Sequence, residues 1–170
     1  MNPVIAYEKQ LYFPTKAAYW KSRITHEDNY LIWKYLYFLR REEAASNTLT
    51  RYYWRRRKND LGARLGILIY AGTCGKGLRI WHYGSTIISG DAKLGENCTF
   101  HGQACIGNDG STAAAPLIGN HVDIGIGAKL LGGITIADDV KIGAGAVVTR
   151  SCLEQGATLV GIPASVLKKK

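Results

Sequence analysis

The side chain that points most directly to chemistry is His82, set between two aromatic residues in Trp81-His82-Tyr83 and followed by Gly84. An imidazole whose ordinary pKa is near ~6.5 suits proton transfer at neutral pH. Placed as a general base it is worth roughly 100- to 10,000-fold in rate. His101 follows nineteen residues later and His121 twenty after that, while His26 stands far upstream at what reads as a helix start. Three histidines are also the raw material of a zinc site. The four cysteines, Cys74, Cys98, Cys105 and Cys152, form no C-x-x-C pair, so they read as structural thiols, with a reactive thiol at Cys74 or Cys105 left open.

The scaffold that must position these residues is a repeat. A large apolar or β-branched residue returns every six positions at Ile88, Leu94, Phe100, Ile106, Thr112, Ile118, Ile124, Leu130, Ile136, Ile142 and Val148. Four residues after each comes a mostly small or β-branched one, among them Ala92, Cys98, Ala104, Gly110, Pro116, Val122, Ala128 and Cys152. A period of six fits neither a helix nor a half-buried strand, and predicts a coil of short parallel strands. Residues 108–117 interrupt it as a loop. In phase with this beat, His82 falls where an apolar residue belongs. An unpaired buried ring would cost about 1 to 3 kcal/mol, so either the first coil is irregular or His82 faces a cleft.

All 20 glycines follow residue 61, whereas 13 of the 17 aromatic residues precede residue 67. Two kinds of structure therefore meet there, and the chain divides into a basic, aromatic helical segment (1–64), a coil (65–167) and a basic tail (168–170). Up to Gly66 there are 13 Lys and Arg against 6 Asp and Glu, so the positive charge belongs to the front. Thr25 and Asp28 read as the start of a helix from about Glu27 to Ala45. A second helix is expected from Asn47 or Thr48, carrying Arg51, Tyr52, Tyr53, Trp54, Arg55, Arg56, Arg57 and Lys58 and ending at Gly62. Its basic face reads first as solvated or subunit-packing, next as peripheral contact with an anionic membrane or a polyanionic acceptor, and last as a nucleic-acid contact. No nucleic-acid module is matched, so nucleic acid is not an expected partner. With no long apolar run or leader pattern, the reading is cytoplasmic, with the inner face of the membrane open.

Four segments carry a resemblance to the hexapeptide-repeat acyltransferases, in the branch of the serine acetyltransferases and polysaccharide O-acetyltransferases. They are Gly77-Leu78-Arg79-Ile80-Trp81-His82-Tyr83-Gly84, Ile118-Gly119-Asn120, Ile142-Gly143-Ala144-Gly145-Ala146-Val147-Val148 and Gly161-Ile162-Pro163-Ala164. The resemblance implies a mostly β fold: a left-handed parallel β-helix, an exception to the usual crossover rule, with an N-terminal α-helical segment. It implies a homotrimer, acetyl-CoA as co-substrate without a metal, and His82 as the base. Gly125, Ile126, Gly143, Ala144, Thr149, Arg150 and Lys168 are the implied cofactor-binding positions, Gly125 and Gly143 by permitting close approach. The zinc-using relatives of the repeat keep two ligands close in sequence, unlike the three histidines here.

The departures are as informative. In serine acetyltransferases an Asp some fifteen residues before the histidine orients it, and that position is Ile67. The Asp just before the histidine is Trp81, and an Arg-His-Pro segment falls on Ala114-Ala115-Pro116. The groups lost would have held the charges of serine, whereas flat aromatic faces suit sugar rings. The expected function is thus O-acetylation of a sugar hydroxyl in a bacterial surface polysaccharide or its precursor, with Trp81, Tyr83 and His101 lining the acceptor site. Serine O-acetylation is the alternative, and a non-catalytic assembly coil the second.

Overall fold

The structure is a computed structural model that describes residues 2–168. Four helices precede the coil: α1 (Pro3–Tyr12), α2 (Lys16–Ile24), α3 (Asp28–Glu43) and α4 (Thr48–Leu65). The first two were not foreseen, although each carries a start signal. Asn2 accepts from Val4 N with Pro3 opening α1, and Thr15 accepts from Ala18 N at the head of α2. Thr25 does not start α3; it closes α2, and Glu27 precedes α3 without a side-chain cap. Gly62 does not end α4 either. That helix runs one turn further to Gly66, whose φ of 66° is the left-handed conformation glycine adopts at a helix end.

Among the described residues the coil has fourteen short strands in three sheets. The first stacks Ile67–Ile69, Thr86–Ile88, Cys105–Gly107, Lys129–Leu131 and Val147–Val148. The second stacks Lys93–Leu94, Leu117–Ile118 and Thr135–Ile136. The third runs from Arg79–Ile80 through Thr99–Phe100, Asp123–Ile124 and Lys141–Ile142 to Thr158–Gly161, closed by the antiparallel Ala164–Val166. All other pairings are parallel. The expectation of a mostly β chain is corrected to a mixed one, because the four helices hold more residues than the strands.

The six-residue beat is the inside of this coil. Ile88, Phe100, Ile106, Ile124 and Leu130 are wholly buried, with Ala92, Ala104, Val122 and Ala128 filling the corners between sheets. The beat breaks at Gly110 and Thr112, which are exposed in the loop. Phase survives because Ile106 and Ile118 lie two repeats apart, and Pro116 again takes the small buried position. Cys74, Cys98 and Cys152 point inward, and burial raises the thiol pKa of Cys74 to about 12 and of Cys98 to about 11.

The helices close the open end of the coil by satisfying its free backbone groups. Ile80 N donates to Tyr12 Oη at 2.7 Å, and Ile69 N to Tyr35 Oη at 2.9 Å. Lys58 Nζ donates to Ile69 O at 2.9 Å. Arg40, itself buried, reaches Cys74 O and Gly75 O while pairing with Glu8 at 2.8 Å, and Gly77 N donates to Glu8. Burial alone would lower the Arg40 pKa, but hydrogen bonding and charge from Glu8, then Glu43, raise it. An unpaired strand edge invites further pairing; here polar side chains of α1, α3 and α4 occupy it.

Candidate functional site

His82 belongs to the corner that joins the third sheet to the first. The register aligns Ile80 with Phe100 and Ile88 with Ile106. Eight residues therefore separate Ile80 from Ile88 where six separate Phe100 from Ile106. Two extra residues bulge this first corner outward, which is why the phase count placed His82 wrongly. The coil is irregular there, the first of the two readings of the phase conflict, and His82 is exposed. Trp81 and Tyr83 beside it are exposed too, Trp81 by 41%.

The next coils continue this corner. A methyl group placed on Gly102 would lie 3.0 Å from His82 O and 3.4 Å from His82 Cβ, so Gly102 sits directly against His82. Gly127 N bonds to Gly102 O and Gly145 N to Ile126 O, which aligns Gly102, Ile126 and Ala144 in one column with His82. Ile126 and Ala144 are exposed. Gly125 and Gly143 stand in this column's neighbouring row. A Cβ on Gly125 would meet Ala144 N at 2.6 Å, and one on Gly143 would meet Val160 at 2.9 Å. Each admits the adjoining coil. Thr149 and Arg150 are exposed one sheet away, after Val147–Val148. Lys168 is exposed at the end of the described chain; Lys169 and Lys170 lie outside the described residues.

The carboxylate that sequence reasoning sought behind His82 is not at Ile67, which is buried in the core. A histidine–carboxylate pair lies one coil along instead: His101 Nε2 is 2.8 Å from Asp123 Oδ1. The His101 ring stacks on Trp81 with centroids 6.3 Å apart and planes inclined by 19°, and the Arg79 guanidinium lies 4.0 Å from the centre of the Trp81 ring. Asp123 was missed because the register steps by 24 residues from Thr99 to Asp123, whereas Arg79, two residues before Trp81 and on the same strand face, had a period-two signal that could have found it. Counting eighteens does not bring Asp123 to His101. His121 belongs to a different corner, 3.5 Å from Asp139 and 3.3 Å from Asn97. Among the described residues no three His, Cys, Asp or Glu side chains cluster as metal ligands.

The bacterial transferase hexapeptide (six repeats) family model matches residues 115–150. A serine acetyltransferase of Helicobacter pylori (strain ATCC 700392 / 26695) is 40% identical over 107 residues, 61% of this chain and 62% of that protein. Soybean serine acetyltransferase complexed with serine superposes with a TM-score of 0.72 at 26% identity, over 82% of this chain and 58% of that one. Serine acetyltransferase from Brucella abortus strain S19 in complex with coenzyme A gives a TM-score of 0.75 at 21% identity, over 96% and 66%, a likeness of fold. Stacked sheets and repeat together make this chain similar to the hexapeptide-repeat proteins. Within that class the chain is similar to the serine acetyltransferases, and it spans less than two thirds of the length of each of these relatives.

Proposed function

We propose that this protein is an acetyl-CoA-dependent O-acetyltransferase in which His82 is the general base. The observation that carries this reading is the exposed imidazole at the head of a corner column that continues through Gly102, Ile126 and Ala144. His82 takes the proton of an acceptor hydroxyl as its oxygen attacks the thioester carbonyl. The C–S bond then breaks, and the imidazolium returns the proton to the departing thiolate. Ile126 and Ala144 offer exposed backbone for the amides of the pantetheine arm, with Gly125 and Gly143 letting the coils stack beneath them. Thr149, Arg150 and Lys168 offer a hydroxyl and cations for its phosphates.

The relatives named above are serine acetyltransferases, which moves serine ahead of the expected sugar as acceptor; polysaccharide biosynthesis finds no support in them. A sugar hydroxyl stays as second reading on one observation: the flat, exposed Trp81 stands beside His82 where a carboxylate would hold an ammonium. Tyr83 extends that aromatic face. Purified protein incubated with acetyl-CoA and, separately, serine or a panel of glycans separates the readings. Saturable serine acetylation supports the first, glycan acetylation alone supports the second, and no thiol release with any acceptor overturns both.

The rest of the assembly belongs to the same proposal. The coil is left-handed and forms a homotrimer, a reading supported by the fold likeness and by the exposed Leu68 and Ile87 on the outer face of the first sheet. Residues 1–64 act as a cap, 65–167 as the transferase coil, and the tail begins at Lys168. The location is cytoplasmic. Contact with an anionic membrane would use Leu49, Tyr52 and Tyr53, exposed on α4 among Arg51, Arg56 and Arg57. Among the described residues no helix is long and apolar enough to cross a membrane.

A further inference from the structure

The imidazole that a carboxylate holds next to the His82 corner is that of His101. Arg79, Trp81, His101 and Asp123 come from neighbouring strands of the third sheet and the turns after them, and they form one row on its outer face. The row ends at the corner that carries His82, since Trp81 and His82 are adjacent. Both His101 and Asp123 side chains are 44% exposed, so the pair is open to a small molecule. No residue at the Ile67 position competes for the task, because Ile67 is 4% exposed and packed inside the coil.

The hydrogen bond to Asp123 places a proton on His101 Nε2, which leaves Nδ1 of the neutral ring as an acceptor. The carboxylate has lone pairs beyond the one that His101 uses. Two acceptors thus stand in the row that leads to the His82 corner, a combination that recognises hydrogen-bond donors. We propose, on the basis of the acyl-transfer reading above, that His101 and Asp123 bind the acceptor through a second donor on the carbon next to its reactive hydroxyl. The substrate class is then a vicinal diol or amino alcohol. Asp123 has a further role as positioning residue, since it fixes the tautomer and orientation of His101. The donor is a hydroxyl if the acceptor is a sugar and an ammonium if it is serine.

The test is steady-state kinetics of the wild type, Asp123→Asn and His101→Ala with acetyl-CoA and four acceptors. These are serine, 3-hydroxypropionate, which lacks the amine, a methyl glycoside, and cyclohexanol, which lacks the neighbouring hydroxyls. Each variant is expected to raise KM for whichever donor-bearing acceptor is used by roughly 10- to 100-fold, the worth of one charge-assisted hydrogen bond. KM for acetyl-CoA and the weak turnover of the matching acceptor without the donor stay unchanged. The arm that responds tells serine from sugar. Wild-type KM in both variants, or an equal rise for the acceptor lacking the donor, overturns the inference. Wild-type protein that acetylates nothing defeats the proposed function itself, which is a different result.

Discussion

The coil and the helical cap are built on opposite principles. In the coil one apolar layer after another repeats the same contact, and each strand finds its hydrogen bonds in the strands above and below. In the cap an apolar, aromatic core is joined by particular polar contacts: Glu8 with Arg40, Glu42 with Lys58 and Arg55, Tyr12 with Ile80, Tyr35 with Ile69. A repeat spreads its stability over many similar residues. An end cap concentrates it in a few, because a terminated sheet presents backbone groups that only correctly placed polar atoms can satisfy. The candidate site lies at the junction, where Tyr12 holds the strand that leads directly into Trp81 and His82.

This contrast gives a ranked set of outcomes in denaturant unfolding. Arg40→Ala strands the buried Glu8 carboxylate and should cost about 3 to 5 kcal/mol, the penalty of a broken buried ion pair. Tyr12→Phe keeps the ring but leaves Ile80 N without its partner, for a loss of about 1 to 3 kcal/mol. Ile124→Val, in the middle of the coil, removes one methylene from a layered core and should cost about 0.5 to 1.5 kcal/mol. An Ile124→Val loss as large as that of Arg40→Ala would erase the distinction between the two regions. The smallest effect belongs to Asp138. Its carboxyl is held below the usual range by the backbone and then the side-chain amide of Asn120. That contribution is present above the ordinary carboxylate pKa and is lost as pH falls through the lowered one. Unfolding followed against pH should show Asp138→Asn flattening the acid limb; an unaltered limb would show that this turn adds nothing measurable.

The same contrast explains what could be read from residues alone. The coil was legible because Ile88 to Val148 repeat one local rule, and even the loop at 108–117 showed as a gap in it. Helices α3 and α4 were legible from their apolar and basic stretches to within a turn, whereas α1 and α2 were not, although Asn2-Pro3 and Thr15 carried the cues. His82 stood out by type and setting. Its exposure rests on two residues inserted in one corner, and a phase count cannot see an insertion until the strands are paired. Asp123 was invisible for a like reason, since its nearness to His101 is a property of register altered by the loop, while Arg79 lies two residues before Trp81 on one strand face and was legible in the alternation of that strand. The close packing of successive coils at Gly125 and Gly143 shows only once the strands are paired.

The account turns on His82 more than on any other residue. The direct measurement is release of free thiol from acetyl-CoA by wild type and His82→Ala, with an acceptor that the wild type uses and with unchanged unfolding confirming the fold. Removing a general base should lower kcat by roughly 100- to 10,000-fold while KM for acetyl-CoA stays where it was. A His82→Ala protein that turns over at the wild-type rate would contradict it.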